Sequence, residues 1–293
     1  MDRYRKVLDA SNVPVDKDFI KKEIEKISEK IPELRKPEVY TKIFNCIDLT
    51  TLNTTDSQDS VRGFVQRVND FDNEYPQYPN VAAVCVFSNF SGIVRSTLEV
   101  TGVKIAVVAG GFPSGQTFSE VKVADTALAV AEGADEVDVV MNLGMLLDEN
   151  YEELCDELIE VKHAAKDAHM KVIIESGALK EPEKIRNASI LAMYSDADFI
   201  KTSTGKVYEG ASPEAAYVMC RCIKEYYENT GRKVGFKAAG GVRSAEDALL
   251  YYAIVKEVLG EEWLDNSLFR IGASSLANSI LAKMQDEEEV KYF

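Results

Sequence analysis

The length of 293 residues allows two ordinary domains or one large one, and α/β barrels commonly reach this size as a single domain. Hydrophobic residues make up 46% of the chain and charged residues 28%, so a sizeable core can form and global disorder is excluded. The formal net charge of -15 excludes the broad basic face that nucleic acids or anionic membranes require. A small anionic partner is still allowed if a few cations converge in one cleft.

The five cysteines form an odd set without a C-x-x-C motif, which predicts neither a disulfide framework nor a zinc ribbon. This cysteine usage indicates a reducing compartment. The first residues are polar, and no stretch approaches the roughly eighteen apolar residues of a membrane span. We therefore predict a soluble cytoplasmic protein without a membrane or a nucleic acid among its partners.

The polar N-terminal segment contains one amphipathic pattern. Between Asp16 and Ile31, apolar residues recur at helical spacing among lysines and glutamates, and Pro32 and Pro37 close the pattern. We predict a helix that covers one end of the domain or contacts a partner subunit. A merely solvated helix is an equally good interpretation.

From Lys42 onward, strand-like and helical patterns alternate. The eight predicted strands are Ile43–Ile47, Val81–Phe87, Lys104–Ala109, Glu136–Met141, Lys171–Glu175, Asp198–Thr202, Val234–Ala238 and Phe269–Gly272. The predicted helices that follow them are Ser57–Phe71, Gly92–Val100, Phe118–Glu132, Tyr151–Ala168, Pro182–Tyr194, Pro213–Glu228, Ala245–Leu259 and Ser274–Gln285.

Eight strand-then-helix units with apolar strands predict a parallel sheet covered on both faces, and eight strands are the number that closes a barrel. A doubly wound open sheet is the alternative, but no G-x-G-x-x-G opens a helix after an early strand. The predicted fold class is an α/β TIM (β/α)8 barrel. It divides the chain into an N-terminal helical extension (1–40), the barrel (41–285) and a C-terminal tail (286–293).

Two lysines stand at the C-terminal ends of neighbouring predicted strands. Lys201 precedes a loop of threonine, serine and glycine, and Lys237 precedes a glycine-rich turn. A lone lysine at a strand end could simply extend its ammonium to solvent. Two such lysines at neighbouring strand ends instead indicate a site, because that end of a barrel carries the chemistry.

Asp138 lies in an alternating strand, with Val137 and Val139 on the opposite face. In a barrel, the face of Asp138 is the interior, where a carboxylate needs a partner such as a lysine across the lumen. A purely structural ion pair is the alternative.

Three consecutive loops carry signals of an anion site. Glycines expose backbone N–H groups, and a serine at a helix N-terminus can donate to a phosphate oxygen. The candidate residues are Thr204, Gly205 and Lys206 after strand six, Gly240, Gly241 and Arg243 after strand seven, and Gly272, Ser274 and Ser275 after strand eight.

Paired lysines and a carboxylate suit Schiff-base catalysis. A lysine must be neutral to attack a carbonyl, yet at its usual pKa only about one in a few thousand is neutral near pH 7. A second ammonium about 4 Å away would lower that pKa by roughly three units. Metal chemistry is disfavoured, because the two histidines, His163 and His169, both lie on or at the end of one predicted helix.

The chain resembles the deoxyribose-phosphate aldolase family from about Thr41 to Leu281. The motifs that carry the resemblance are Cys46–Leu52, Gly133–Val140, Lys171–Glu175, Phe199–Lys206, Gly235–Lys237, Ala239–Arg243 and Gly272–Leu276. The resemblance implies a class I aldolase that reversibly cleaves 2-deoxy-D-ribose 5-phosphate to D-glyceraldehyde 3-phosphate and acetaldehyde, without a cofactor or a metal. Its partners would be small phosphorylated sugars and aldehydes, and further copies of the chain in a homodimer or other homo-oligomer.

By this resemblance, Lys201 forms the imine, Lys237 lowers its pKa and Asp138 transfers protons, while the glycine and serine loops bind phosphate. Three more residues would line the site: Asp48, Thr50 and Cys85.

Two features depart from the familiar pattern or extend it. The family often has proline where this chain has Ala238, and some members use a tyrosine of a mobile C-terminal tail in proton transfer. Tyr292 is therefore a candidate for that part, with an inert solvated tail as the alternative. Two other functions remain open: a different Schiff-base barrel, such as a transaldolase-like enzyme, and a catalytically silent phosphosugar-binding protein.

Overall fold

A closed barrel of eight parallel strands forms the centre of the computed structural model, which describes residues 3–293. Each strand pairs with the next along the chain, and β8 pairs with β1. The strands are β1 Ile47–Thr50, β2 Ala83–Phe87, β3 Lys104–Ala109, β4 Glu136–Val140, β5 His169–Ile173, β6 Phe199–Lys201, β7 Gly235–Ala239 and β8 Phe269–Ala273. The predicted TIM barrel is confirmed, and the open doubly wound sheet is excluded.

The α-helices surround the strands and occupy most of the predicted positions. They are α1 Arg3–Ala10, α2 Lys17–Ser28, α3 Ile31–Leu34, α4 Pro37–Asn45, α5 Gln58–Glu74, α6 Ser91–Thr97, α7 Ser119–Ala131, α8 Leu143–Leu147, α9 Tyr151–Ala165, α10 Ser176–Leu179, α11 Pro182–Tyr194, α12 Pro213–Thr230, α13 Ala245–Leu259 and α14 Leu276–Gln285.

Local signals explain why several helix starts were predictable. The Ser57 and Ser244 side chains each accept a hydrogen bond from the backbone N–H three residues later and complete capping boxes for α5 and α13. Pro182 and Pro213 stand at the first position of α11 and α12, where a missing N–H costs nothing. The bounds of α11 and α13 agree with the prediction to the residue.

The prediction of a first strand over Ile43–Ile47 is wrong. Residues Pro37–Asn45 form helix α4, and Ile43 and Phe44 are fully buried within it. A short apolar run has the same appearance in a buried helix and in a strand, so periodicity could not separate the two. Pro37, read as the end of an earlier helix, instead begins α4.

The amphipathic helix of the N-terminal segment is present as α2, and its partner is the barrel itself. Asp16 caps it by accepting a hydrogen bond from the backbone N–H of Phe19 at 2.7 Å. Ile20, Ile24 and Ile27 are buried against the outer faces of α12 and α13. The helix therefore covers the side of the barrel and not one of its ends, and it is not merely solvated.

The predicted helical position of His169 is also wrong, because α9 ends at Ala165 and His169 opens β5. His163 does lie in α9. Across residues 3–293, no helix combines the length and the apolar character that crossing a bilayer requires.

Candidate active site

The barrel lumen collects the charged side chains of six strands. Pairing in register places Lys201 of β6 beside Lys237 of β7, and Asp138 of β4 beside Lys171 of β5. Because side chains alternate between the two faces of a strand, all four share the inner face, and each is at least nine-tenths buried.

Asp138 lies between the two predicted lysines. Its Oδ2 atom accepts hydrogen bonds from Lys201 Nζ and Lys237 Nζ, each at 2.7 Å. The two ammonium nitrogens are therefore within two hydrogen-bond lengths of each other. Lys237 also donates to Asp48 Oδ2 at 2.5 Å, so the structure brings together Lys201, Lys237, Asp138 and Asp48.

Three charged residues beneath this group were not predicted from the sequence. Lys171 Nζ donates to Asp138 Oδ1 at 3.0 Å and to Glu136 Oε2 at 2.5 Å. Arg270 Nη2 donates to Glu136 Oε1 at 2.7 Å, and its Nη1 donates to Asp48 Oδ1 at 2.6 Å. A signal was available, because the alternation that turns Asp138 inward also turns Glu136 inward two residues earlier.

The carboxylates of the lumen are held ionised. Burial alone would raise the pKa of Asp138, but Lys171, Lys201 and Lys237 together hold that pKa well below its usual range. At Asp48, burial would also raise the pKa, but Lys237 and Arg270 outweigh burial and lower that pKa. Both groups are therefore proton acceptors at neutral pH.

Lys201 is the one lysine of the lumen whose pKa is lowered. Burial is the largest cause, and Lys237 adds to it, while Asp138 acts in the opposite direction. The pKa values of Lys171 and Lys237 are raised, because each ammonium contacts two carboxylates that outweigh its burial. Burial therefore lowers the pKa of Lys201 more than the neighbouring Lys237 ammonium does, although only the ammonium was considered from the sequence.

Beside Lys201 opens a cavity of about 290 Å³ at the C-terminal ends of the strands. The predicted anion-site residues meet there. Its lining includes Thr50, Lys201, Thr204, Gly205, Lys206, Gly240, Gly241, Arg243, Gly272, Ser274 and Ser275.

Two glycines let the walls of this cavity touch backbone to backbone. Gly205 and Gly240 have φ angles of +72° and +83°, a region that side chains disfavour. A Cβ on Gly240 would lie 2.9 Å from Gly210 Cα and 3.0 Å from Gly205 Cα. Larger residues would therefore force the loops after β6 and β7 apart.

Cations and a helix N-terminus face the same cavity. Lys206 and Arg243 line it, and Lys206 Nζ donates to the carbonyl oxygen of Leu52. Helix α14 begins immediately after Ser275, so its free N–H groups and its dipole favour an anion there. This wall is suited to a phosphate group.

Glu175 holds the loop after β6 in place. Its buried carboxylate accepts hydrogen bonds from Thr204 Oγ1 at 2.6 Å and from Thr204 N at 3.1 Å. The hydroxyl proton of Thr204 is thus directed to Glu175 and not to the cavity. Thr204 nevertheless lines the cavity, and its part in anion binding stays a prediction.

Cys85 lies on the inner face of β2 and is fully buried. Burial raises the pKa of its thiol, so the sulfur stays protonated at neutral pH. A protonated thiol is a poor nucleophile, so the role of Cys85 stays that of a predicted lining residue.

The structure does not bring Tyr292 to Lys201. The Tyr292 hydroxyl donates to the carbonyl oxygen of Arg67 in α5 at 2.8 Å, and its ring packs edge-on against Phe71 and Tyr75. Asn278 Oδ1 accepts from the backbone N–H groups of Tyr292 and Phe293, each at 3.0 Å. The tail is therefore fastened to the outside of the barrel.

A profile of DeoC/LacD family aldolases matches residues 43–279, the segment that contains all eight strands. This chain belongs to the DeoC/LacD aldolase family. It is therefore an aldolase, an enzyme of the lyase class. The lumen that holds Lys201, Lys237 and Asp138 lies wholly within the matched segment.

Named relatives are similar to this aldolase over most of its length. The human deoxyribose-phosphate aldolase is 39% identical over 249 residues, which cover 82% of this chain and 78% of the human protein. A protein from Caenorhabditis elegans is 41% identical over 270 residues, which cover 91% of this chain and 88% of that protein. Among solved structures, the tetrameric deoxyribose phosphate aldolase from Aeropyrum pernix is 25% identical, with a TM-score of 0.66 over 87% of this chain and 96% of that one.

The tail supports a prediction that separates stability from catalysis in this aldolase. We expect removal of residues 292–293 to lower the free energy of unfolding by about 1–3 kcal/mol, because two packed aromatic rings leave the outside of α5. The value of kcat should stay within about twofold of wild type, since neither residue reaches the lumen. Urea unfolding and steady-state kinetics measure the two quantities.

Tyr292→Phe is the matched control for the tail, because it keeps the ring and removes only the hydroxyl. We expect unchanged kcat and a stability loss of about 1 kcal/mol. A kcat reduced tenfold or more by this variant would show that Tyr292 takes part in proton transfer.

Proposed function

We propose that this aldolase reversibly cleaves 2-deoxy-D-ribose 5-phosphate to D-glyceraldehyde 3-phosphate and acetaldehyde through an imine on Lys201. One observation carries the proposal: the lysine with a lowered pKa stands between a buried carboxylate and a cavity suited to phosphate. The names and extensive similarity of the relatives support the same substrate.

Imine formation begins with the neutral amine of Lys201. Its nitrogen attacks the C1 aldehyde carbon of the open-chain sugar to give a carbinolamine. The carbinolamine hydroxyl then takes up one proton, supplied by Lys237 through Asp138, and leaves as water, which gives a protonated imine. The cationic nitrogen would remain beside Asp138, whose carboxylate is held ionised and stabilises that charge.

Cleavage then breaks the bond between C2 and C3. A base removes the proton of the C3 hydroxyl, its electron pair forms the carbonyl of glyceraldehyde 3-phosphate, and the bond electrons pass to the imine as an enamine. Protonation of the enamine at C2 and hydrolysis release acetaldehyde and regenerate Lys201. Asp138 is the proposed proton-transfer group, with Lys237 as the adjacent proton carrier.

The phosphate group would bind at the far wall of the cavity. Lys206, Arg243 and the N-terminus of α14 supply positive charge in a protein whose formal net charge is -15. A local cluster of cations is therefore needed to attract an anionic substrate against the field of the whole molecule. A phosphate bound at this wall would hold C5 of the sugar there and leave the C1 aldehyde near Lys201.

Three further predictions about the protein accompany this proposal. They are a cytoplasmic location, assembly as a homodimer or other homo-oligomer, and the division into extension, barrel and tail at residues 40 and 285. Helix α4 crosses the first of these boundaries.

Borohydride trapping tests the proposed function. The protein is incubated with acetaldehyde or 2-deoxyribose 5-phosphate and reduced, and peptide mass spectrometry locates the modified lysine. We expect a stable adduct at Lys201 and none at Lys17, an exposed control lysine. An adduct at Lys237 would exchange the roles of the two lysines, and no adduct would favour a silent phosphosugar-binding protein.

Substrate comparison distinguishes this activity from that of another Schiff-base barrel. We expect turnover of 2-deoxyribose 5-phosphate to exceed that of ketose phosphates by a wide margin. Preference for a ketose phosphate would instead assign a transaldolase-like activity or a different phosphosugar aldolase.

A further inference from the structure

Seven charged side chains of the lumen form one connected hydrogen-bonded cluster. Three are carboxylates and four are cations, and all are at least nine-tenths buried. The cluster consists of Asp48, Glu136, Asp138, Lys171, Lys201, Lys237 and Arg270.

The four cations are not bound equally. Lys171, Lys237 and Arg270 each donate to two different carboxylates of the cluster. Lys201 donates to Asp138 alone. Loss of a proton from Lys201 therefore weakens fewer charge-assisted hydrogen bonds within the cluster than loss of a proton from any of the other three cations.

The net charge of the cluster also favours Lys201 as the cation that loses its proton. With all seven groups ionised, four positive charges face three negative ones, so the buried cluster carries a surplus of one positive charge. With Lys201 neutral, three charges of each sign balance. A net charge in a buried site is strongly disfavoured, so the balanced state has the lower free energy.

We infer that Glu136 and Arg270 are positioning residues that set how many protons this cluster holds, and that they thereby keep Lys201 as its neutral amine. Neither residue lines the substrate cavity. Glu136 acts through Lys171, which it shares with Asp138, and Arg270 acts through Asp48, which it shares with Lys237. The inference rests on the proposed imine at Lys201 and explains its availability.

Other titratable groups around Lys201 leave this balance unchanged. The Cys85 thiol of β2 stays protonated because it is buried. The inner residues of β3, Ala106 and Val108, are apolar. Beyond the C-terminal end of β5, the Glu175 carboxylate accepts a hydrogen bond from the Thr204 hydroxyl. Lys206 at the cavity wall donates to the carbonyl oxygen of Leu52.

The test uses two single variants of opposite charge effect and their combination. Arg270→Met removes a positive charge, so Lys201 should hold its proton more tightly. The midpoint, which is the pH at which half of Lys201 is neutral, should then rise by about one unit or more. Glu136→Gln removes a negative charge, and that midpoint should fall. The double variant Arg270→Met with Glu136→Gln restores the balance, and its midpoint should return to within about half a unit of wild type.

Two readouts report the midpoint. The first is the pH dependence of borohydride trapping at Lys201. The second is the rate at which cyanate carbamylates Lys201, followed by mass spectrometry, because cyanate reacts with the neutral amine whether or not the protein cleaves a sugar. A wild-type protein that fails to trap an aldehyde would refute the proposed function, while the carbamylation shifts would still decide the charge-balance inference.

A second buried ion pair provides the matched control. Lys122 Nζ and Glu157 Oε1 lie 2.6 Å apart and are almost fully buried, but they join α7 to α9 outside the lumen. We expect Glu157→Gln to leave the Lys201 midpoint unchanged.

The inference is overturned if the two single variants move the midpoint in the same direction, or if neither moves it. If a single variant fails to fold, the double variant still tests the inference, because it replaces a charge pair by neutral side chains of similar size. A folded double variant whose midpoint differs from wild type by more than about one unit would also refute the inference.

Discussion

Replacement of Lys201 by leucine is expected to abolish aldolase turnover at every pH. The variant lacks the nitrogen that forms the imine, and no other amine of the lumen is poised to substitute, because Lys171 and Lys237 have raised pKa values and stay protonated. We expect kcat to fall on the order of 10⁴-fold or more. A coupled assay of glyceraldehyde 3-phosphate release measures the loss.

The fold should tolerate this change. Without Lys201 the cluster keeps three positive and three negative charges, the same balance that it has when Lys201 is neutral. We expect the free energy of unfolding to stay the same or rise in urea titrations, and phosphate-containing ligands should still bind. Lys17→Leu, an exposed lysine of α2, is the control for the substitution itself. Substantial turnover by Lys201→Leu would refute the imine mechanism.

Replacement of Lys237 by methionine is expected to leave a weak enzyme that improves with pH. Asp48 and Asp138 each lose one ammonium partner, so the cluster is balanced only when Lys201 carries its proton. If the pKa of Lys201 rises by about three units, the neutral fraction at pH 7 falls about a thousandfold. We expect kcat/KM at pH 7 to fall by a similar factor.

The sign of the pH dependence distinguishes this cause from a general loss of structure. In the variant, the neutral fraction of Lys201 increases about tenfold for each unit of pH until its raised pKa is reached, so kcat/KM should recover in alkaline buffer. The wild-type protein, whose Lys201 pKa is lowered, should show this rise at lower pH. A loss of activity independent of pH would contradict the account of Lys201 activation.

The sequence predicted the barrel and the inward position of Asp138 because both follow from local periodicity. Alternation along Glu136–Val140 requires Asp138 and Glu136 to share one face, and the loop chemistry after Lys201 and Lys237 marks strand ends. The same local reasoning failed at Ile43 and Phe44, whose apolar character suits a buried helix as well as a strand.

Interactions between distant segments were beyond that reasoning. Arg270 joins Asp48 across 222 positions of the chain, and the close approach of Gly205 and Gly240 exists only when β6 and β7 are neighbours. The position of Tyr292 against α5 likewise depends on packing and not on the composition of the tail.

The sequence by itself therefore determined the barrel, the inward position of Asp138 in β4 and the lysines at the ends of β6 and β7, since each is specified by periodicity and by residues close in the chain. Only the tertiary structure decided which charges meet, how much each is buried and hence which lysine has a lowered pKa. Those properties depend on closing the barrel, because closure excludes water and brings residues from β1, β4, β5, β6, β7 and β8 within hydrogen-bond distance of one another.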